Sequence, residues 1–280
     1  MREHVRFALL RFFRRYARPV LGPGMLWMNT AGSHGYHRAR PADVPVTAYC
    51  VYRSTNADAV ATLVDGLPSG SLVHLHALDR VAPILDQFTR EIGPGARIPL
   101  LQNLLDKYPP VLEQHVVIAD DDVTFIGTGA RRFPGLGVLA EFDICQPAHT
   151  PDSEHSFRVT RAEPLSTARE TTFVEVGPVV LLSPKAQALV LPFPEDAQMG
   201  WGLDVQWSGL RRNGLRLGVI DATPVHHFGR VAADYDTGPE AEVNARYLRE
   251  AEVASVHDLA HNTGRTWRPW QRAPRWTGER

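Results

Sequence analysis

The chain has 280 residues, 44% of them hydrophobic and 22% charged, which excludes a disordered protein and fits one large α/β domain or two small ones. Its formal net charge of −1 creates no overall positive field, so we expect no nucleic-acid partner. The two cysteines, Cys50 and Cys145, lie in apolar surroundings, as buried thiols of a cytoplasmic protein do. No apolar run reaches the roughly 18 residues of a membrane-spanning helix, and the basic N-terminus lacks the pattern of a signal peptide.

Residues 1–44 are predicted to form a basic helix followed by a linker. Residues 2–18 have an amphipathic pattern with four arginines on the polar face, and Pro19 ends it. The apolar face consists of Val5, Leu9, Phe12, Phe13 and Tyr16. Two interpretations are open: this face docks on the rest of the protein, or the helix contacts an anionic membrane surface at the inner face of the membrane. Residues 20–44 are rich in Gly and Pro, which indicates a linker.

Residues 45–235 alternate strands with helices, the pattern of βαβ units around a parallel sheet. Predicted strands cover 46–52, 71–75, 116–119 and 173–180, with extended pieces at 217–220 and 223–227. Predicted helices cover 58–67, 81–91, 100–108 and 184–191. The expected fold is a single Rossmann-like α/β domain with a mostly parallel mixed sheet.

Residues 236–280 are predicted to be a helix at 239–254 followed by a tail. The last 16 residues hold five arginines and three tryptophans, Trp267, Trp270 and Trp276. Such a tail could meet a partner, stack on nucleic acid or wrap the domain. We expect it to wrap the domain, because three exposed tryptophans would be an unusual apolar surface.

An acidic triplet, Asp120–Asp122, directly follows the apolar strand at 116–119. In an open parallel sheet, ligands bind beyond the carboxyl ends of the strands. If the backbone stays extended, Asp120 and Asp122 point the same way, because side chains alternate with period two. Two converging carboxylates suit a hard divalent cation such as Mn²⁺ or Mg²⁺. The alternative is a solvated turn or a helix cap, since Asp is frequent in turns.

The stretch VVIADDDVTF at 116–125 resembles the strand and D-x-D motif of GT-A glycosyltransferases. Further along come F-V-E at 173–175, G-W-G-x-D at 200–204, and a late segment from Asp221 to the histidine pair His226 and His227. This order resembles an uncharacterised bacterial and plant branch of GT-A-like proteins, over roughly residues 110–230. The Gly/Pro-rich stretch 127–137, where the acceptor region is expected, is short and leaves the acceptor undetermined.

The resemblance implies a hexosyltransferase-like enzyme that uses a nucleotide-diphospho-sugar donor, a divalent metal and an acceptor hydroxyl. It places Asp122 on the metal with Asp120 and His227, and Asp120 and Asp121 near the nucleotide. Arg53 and Ser54, at the end of the first strand, are candidates for contacts with the nucleotide base.

Inverting transfer requires one base to take the proton of the acceptor hydroxyl, and Asp204 is the candidate. Trp201, Gly202 and Glu175 are the candidates for binding the sugar or the acceptor. Each residue also has a purely structural interpretation: Asp204 as a helix cap, Trp201 as a core aromatic, and His227 as a surface or core histidine. Glu175, in an apolar segment, must be paired or serve a site.

Other functions stay open at this level. Arg161 and Arg169 could neutralise a diphosphate or form structural ion pairs. The same carboxylates could serve a nucleotidyl or phosphoryl transferase, although the chain has no P-loop motif. A non-catalytic protein that binds nucleotide-sugars on the same fold is the third possibility.

Overall fold

The computed structural model describes residues 40–229 and 237–274. The predicted helix at 2–18, most of the predicted linker and Trp276 lie outside these residues. Within the described ranges, no helix is long and apolar enough to cross a membrane.

Strands and helices follow one another along the described chain. The strands are β1 (Val46–Tyr52), β2 (Leu72–Ala77), β3 (Thr89–Ile92), β4 (His115–Ala119), β5 (Val123–Phe125), β6 (Ile144–His149), β7 (Ala168–Thr171), β8 (Val179–Leu182), β9 (Leu217–His227) and β10 (Asn262–Trp267). The helices are α1 (Ala57–Gly66), α2 (Arg97–Lys107), α3 (Gly129–Leu139), α4 (Pro184–Val190), α5 (Leu203–Gly209) and α6 (Gly238–Glu250).

All these strands belong to one mixed sheet, in the order β10-β7-β9-β6-β8-β4-β1-β2-β3, with β5 paired to β9. Strands β4, β1, β2 and β3 run parallel, whereas β8 is antiparallel to both β4 and β6. The expected α/β domain with a mixed sheet is confirmed. Its parallel part is concentrated in the first half of the chain, where helices separate the strands.

The core lies on both faces of this sheet, which explains the composition of the central strands. All seven residues of β1 are buried, because β2 and β4 flank it and helices cover it from both sides. Val60 of α1 and Phe133 of α3 pack on one face, and Leu101 of α2 and Trp207 of α5 pack on the other. An unbroken apolar run is the sequence signature of a strand buried in this way.

Two predicted elements are wrong. The expected helix at 81–91 is a short 3-10 turn at Pro83–Leu85 followed by β3, because pairing with β2 at the sheet edge overrides the local pattern. The expected strand at 173–180 is mostly a loop, because the chain must cross the end of the sheet before β8 can pair with β4. Glu175 therefore lies in this loop and not in a strand.

The Gly/Pro-rich stretch after the triplet is largely a helix, α3, and its glycines allow close packing. A Cβ at Gly135 would overlap the carbonyl oxygen of Ala42, and one at Gly137 would lie 2.6 Å from Cδ2 of Leu181. Small residues are thus needed where α3 meets the sheet and the chain before β1. Composition alone did not indicate this helix, because its packing partners are distant in sequence.

The C-terminal segment contributes to the same sheet. Strand β10 pairs antiparallel with β7, and the side chain of Trp267 is buried. Trp270, just beyond the strand, is 55% exposed. Part of the expected aromatic tail therefore packs on the domain.

Candidate functional site

The carboxyl end of β4 and the end of β9 meet at one point of the sheet. Strand β5, directly after the triplet, pairs antiparallel with β9 and sets Val123 opposite His227. The backbone N–H of Phe228 also donates to the carbonyl oxygen of Asp122, at 3.1 Å. This register carries His227, over a hundred residues later in the chain, to the side of the triplet.

Asp120, Asp122 and His227 form a compact group of potential metal ligands. One ligand atom from each lies within 4.8 Å of the other two, and Nε2 of His227 is 3.1 Å from Oδ1 of Asp122. The Oδ1 atoms of both aspartates are buried, and the nitrogen atom nearest to Oδ1 of Asp120 is Nε of Arg97, at 2.6 Å. Two carboxylates and one imidazole match the ligand chemistry of Mn²⁺, and two carboxylates also suit Mg²⁺. The residues present therefore fit a divalent cation.

Glycines make room for these carboxylates. A Cβ on Gly177 would overlap Oδ2 of Asp120, and a Cβ on Gly229 would overlap Oδ2 of Asp122. Any larger residue would push the two aspartates out of their present positions. The backbone on either side of the group is thus shaped around the carboxylates.

Charges around the group act in opposite directions on its members. Burial raises the pKa of Asp120, although the cation of Arg97 opposes this. Burial also works against ionisation of Asp122, but the hydrogen bond and charge of His227 hold its pKa below the ordinary value. Despite its own burial, His227 has a raised pKa because Asp122 and Asp120 favour the imidazolium form. Because these carboxylates lie close together, a positive charge beside them stabilises their ionised forms.

Asp121 is turned away from the metal-ligand group. It is buried and accepts the backbone N–H of Arg53 at 2.7 Å, with the Arg53 guanidinium 3.6 Å away. Ser54 instead donates its N–H and hydroxyl to Asp79, at 2.9 and 2.6 Å. Of the two candidates for base contacts, Arg53 lines the cavity described below, and Ser54 is not among the described residues of its wall.

The sequence pattern did not single out Arg97, which is a main component of this site. Its Nε lies 2.6 Å from Oδ1 of Asp120, and its side chain is largely buried. Arg97 begins α2, directly after the loop that follows parallel strand β3. Loops at the carboxyl ends of parallel strands commonly carry ligand-binding residues. Arg97 could therefore have been predicted from its position in the chain, but only if β3 had been recognised as a strand.

The G-W-G-x-D motif forms a tight loop leading into α5. Gly200 and Gly202 both have positive φ, 107° and 89°, and a Cβ on Gly202 would lie 2.5 Å from the ring of Tyr247. Glu240 of α6 is buried and accepts the N–H groups of Met199 and Trp201, at 3.1 and 3.3 Å. Helix α6 therefore anchors the loop, a role that nothing in the local sequence of Glu240 indicated.

Asp204 lies in the first turn of α5 and faces the cavity. Burial, together with the negative charge of Glu175, raises its pKa to about 7, while the hydrogen bond from the backbone N–H of Val205 opposes the rise. Oδ1 of Asp204 accepts that N–H at 2.8 Å. A carboxyl group with a pKa near neutrality can exchange a proton at physiological pH.

Glu175 is held by residues from three other segments. The hydroxyl of Thr160 donates to its Oε1 at 2.6 Å, and its backbone N–H donates to Oε1 of Gln146 at 2.5 Å. Nε2 of the fully buried His149 is 3.6 Å from its other oxygen. These contacts fix the position of a partly exposed carboxylate on the wall of the cavity described below.

Arg169 forms a structural ion pair and does not reach this site. It pairs with Asp221 through two contacts of 2.8 and 3.1 Å, and the two side chains are 1% and 0% exposed. Asp221 also accepts the backbone N–H of Glu163. The late aspartate of the sequence motif therefore lies within β9 and acts in the core.

We expect Asp221→Ala to lower the free energy of unfolding by about 3–5 kcal/mol, because it leaves the guanidinium of Arg169 buried without its main partner. Denaturant titration measures this. The double variant Arg169→Met with Asp221→Leu is the control, because it removes both charges and should lose less stability than Asp221→Ala. A double variant that is less stable than the single one would contradict this account.

A cavity of about 680 Å³ joins these groups at the end of the sheet. Its wall includes the triplet, Arg53, Arg97, Glu175, Trp201, Gly202, Asp204 and His227. It also includes residues that the sequence pattern did not indicate, such as His155, Phe157, Asn244 and Val256. The structure thus brings every predicted site residue except Ser54 to one cavity.

Comparisons with known proteins bear on the fold. No protein-family model matches the chain, and no curated protein is similar to it in sequence. Among similar solved structures is the crystal structure of GalNAc-T7 with UDP, GalNAc and Mn²⁺, at a TM-score of 0.55 and 11% sequence identity. The match covers 74% of this chain and 50% of that one, so the chain spans half the length of this relative. At this identity the likeness establishes the fold, and the chain has a Rossmann-like α/β fold of the GT-A type.

Proposed function

We propose that this protein is a metal-dependent glycosyltransferase that moves a sugar from a nucleotide-diphosphate donor to an acceptor hydroxyl, with inversion. The observation that carries the proposal is the placement of Asp120, Asp122 and His227 in one cavity with Asp204. The GT-A fold supports it, as does the presence of UDP and Mn²⁺ in the GalNAc-T7 structure.

The residues divide into those that hold the donor and one that moves a proton. Asp122, Asp120 and His227 would hold Mn²⁺ or Mg²⁺, which when bound would neutralise charge on the leaving diphosphate. Arg97 and Arg53 add positive charge beside the triplet, and Asp121 fixes Arg53. These contacts give Ser54 no role in binding the donor, and they do not identify the nucleotide base.

In the transfer step, the acceptor oxygen forms a bond to the anomeric carbon of the sugar. The bond from that carbon to the diphosphate oxygen breaks, and its electron pair leaves with the nucleoside diphosphate. The proton of the acceptor hydroxyl passes to the carboxylate of Asp204, whose pKa of about 7 suits a base working near neutral pH.

The proposal also includes three statements that do not depend on the contacts of the cavity. They concern domain boundaries at 45 and 235, a cytoplasmic location, and contact of residues 2–18 with the inner face of the membrane. Liposome co-sedimentation of the full chain, compared with a chain lacking residues 1–18, tests the third statement.

The proposal predicts that a nucleoside diphosphate stabilises the protein only with a divalent metal. In a thermal-shift panel of nucleoside diphosphates and nucleotide-sugars, at least one compound should raise Tm with Mn²⁺ and not with EDTA. No metal-dependent shift from any compound would overturn the proposal. Turnover of a free nucleoside triphosphate without a sugar acceptor would instead favour a nucleotidyl or phosphoryl transferase.

Arg97→Ala is expected to weaken nucleoside diphosphate binding about 10- to 100-fold, the value of one or two charge-assisted hydrogen bonds. Binding of Mn²⁺ alone should not weaken, because the change removes a cation that competes for Asp120. Isothermal titration calorimetry measures both affinities. Arg131→Ala is the matched control, because Arg131 pairs with Asp43 on the surface. Unchanged diphosphate affinity in Arg97→Ala would remove Arg97 from the donor site.

A further inference from the structure

In the described part of the cavity wall, the arginine side chains lie on the side of the triplet. Among the described residues of the wall, the only Lys or Arg side chains are Arg53 and Arg97. Each of them contacts a carboxylate of the triplet, Asp121 and Asp120 respectively. The described arginines that could pair with a diphosphate are therefore on the donor side.

The region around Asp204 has the opposite charge. Glu175 also lines the cavity, and it is close enough for its charge to raise the pKa of Asp204. The guanidinium of Arg161 influences the nearby ring of His155, but Arg161 is not among the described wall residues. An anionic group beside the reacting hydroxyl would thus meet two carboxylates and no cation in the described part of the wall.

Flat apolar groups line the same cavity as these carboxylates. Trp201 and Phe157 both line the cavity. The ring of Phe157 is held edge-on against Phe173, with centroids 4.6 Å apart, and it also contacts His257 at 5.2 Å. Asn244 of α6 adds an amide that can bind hydroxyl groups. Rigid aromatic faces with a few polar groups suit the apolar face and hydroxyls of a sugar ring.

We propose that the acceptor is a neutral glycoside whose reacting hydroxyl has no anionic neighbour, and that Glu175 excludes uronic acids and sugar phosphates. This proposal rests on the proposed function and specifies the acceptor side of the same cavity. Glu175 acts by placing a fixed negative charge there, because Thr160 and Gln146 hold it in position. Like charges placed together are a common means of rejecting the wrong partner.

The test compares matched pairs of probes by saturation-transfer NMR and titration. The pairs are methyl glucoside with methyl glucuronide, and methyl galactoside with methyl galacturonide, each measured with and without UDP and Mn²⁺. At least one neutral glycoside should bind roughly tenfold or more tightly than its uronide. Glu175→Gln should reduce that ratio severalfold, and the control Glu154→Gln, an exposed carboxylate nearby in the chain, should not. Trp201→Ala should weaken the neutral glycoside while the Tm shift caused by UDP and Mn²⁺ persists.

Uronides that bind as tightly as their neutral partners would overturn the proposal, and so would the absence of binding by any glycoside. These outcomes differ from failure of the proposed function. If UDP and Mn²⁺ bind without discrimination among glycosides, the acceptor inference is wrong and the donor site stands. If glycosides are discriminated but no nucleoside diphosphate binds with metal, the transferase proposal fails instead.

Discussion

Asp204→Asn should slow sugar transfer about 100- to 10,000-fold, because the amide cannot take the proton of the acceptor hydroxyl. Donor binding should be unchanged, since the metal-ligand group and Arg97 remain intact. Initial rates with saturating donor, together with the Tm shift caused by donor and Mn²⁺, measure the two effects. Asp65→Asn, an exposed residue of α1, is the control for loss of a carboxylate elsewhere. A variant with normal rates would exclude Asp204 as the base.

The pKa of Asp204 adds a pH dependence to this prediction. Because a base must be unprotonated to accept a proton, the wild-type rate should fall as the pH drops below about 7. Glu175→Gln removes the charge that helps to raise this pKa, so the fall should move to lower pH. A rate profile of kcat against pH, measured for both proteins, distinguishes this role from a purely structural one.

The free energy of unfolding should also depend on pH through Asp204, but it should fall as the pH rises, whereas the rate should increase. Folding raises the pKa of Asp204, so the folded state loses stability as the pH rises from about 4 to about 7. Asp204→Asn removes this loss and should therefore raise Tm more at pH 8 than at pH 4. A variant that is inactive yet more stable at pH 8 cannot owe its inactivity to misfolding.

Asp122→Ala should abolish the metal dependence of the protein. We expect Mn²⁺ affinity to fall at least about 100-fold, because the change removes one of three protein ligands and the partner of His227. Electron paramagnetic resonance of free Mn²⁺ measures the affinity directly, without any assay of transfer. The Tm shift caused by a nucleoside diphosphate with Mn²⁺ should disappear as well.

The neighbouring residue provides the matched control. Asp121→Asn keeps an acceptor for the N–H of Arg53 and leaves the metal-ligand group unchanged. It should therefore retain Mn²⁺ affinity within about twofold. Equal losses in both variants would mean that the triplet acts through its total charge and not through the geometry of Asp120 and Asp122.

The sequence by itself determined the features that depend on local pattern. The apolar runs of β1 and β4 mark central strands, because a strand covered on both faces must be apolar throughout. The periodicity of apolar residues predicts helices α1 and α2. The triplet comes directly after the apolar run of β4, which places it at the carboxyl end of that strand. Asp120 and Asp122 were indicated in this way, whereas Asp204 and His227 were indicated by the resemblance of the motif order to GT-A glycosyltransferases.

Only the tertiary structure decided which distant residues meet. Strand β3 forms because β2 offers an edge to pair with, and its end then delivers Arg97 to Asp120. Glu240 matters only because α6 packs against the G-W-G loop, and Asp221 serves the core because β9 places it against Arg169. Pairing and packing between segments far apart in sequence depend on the whole chain. Local patterns can therefore indicate candidate site residues, but they cannot show which of these residues contact one another.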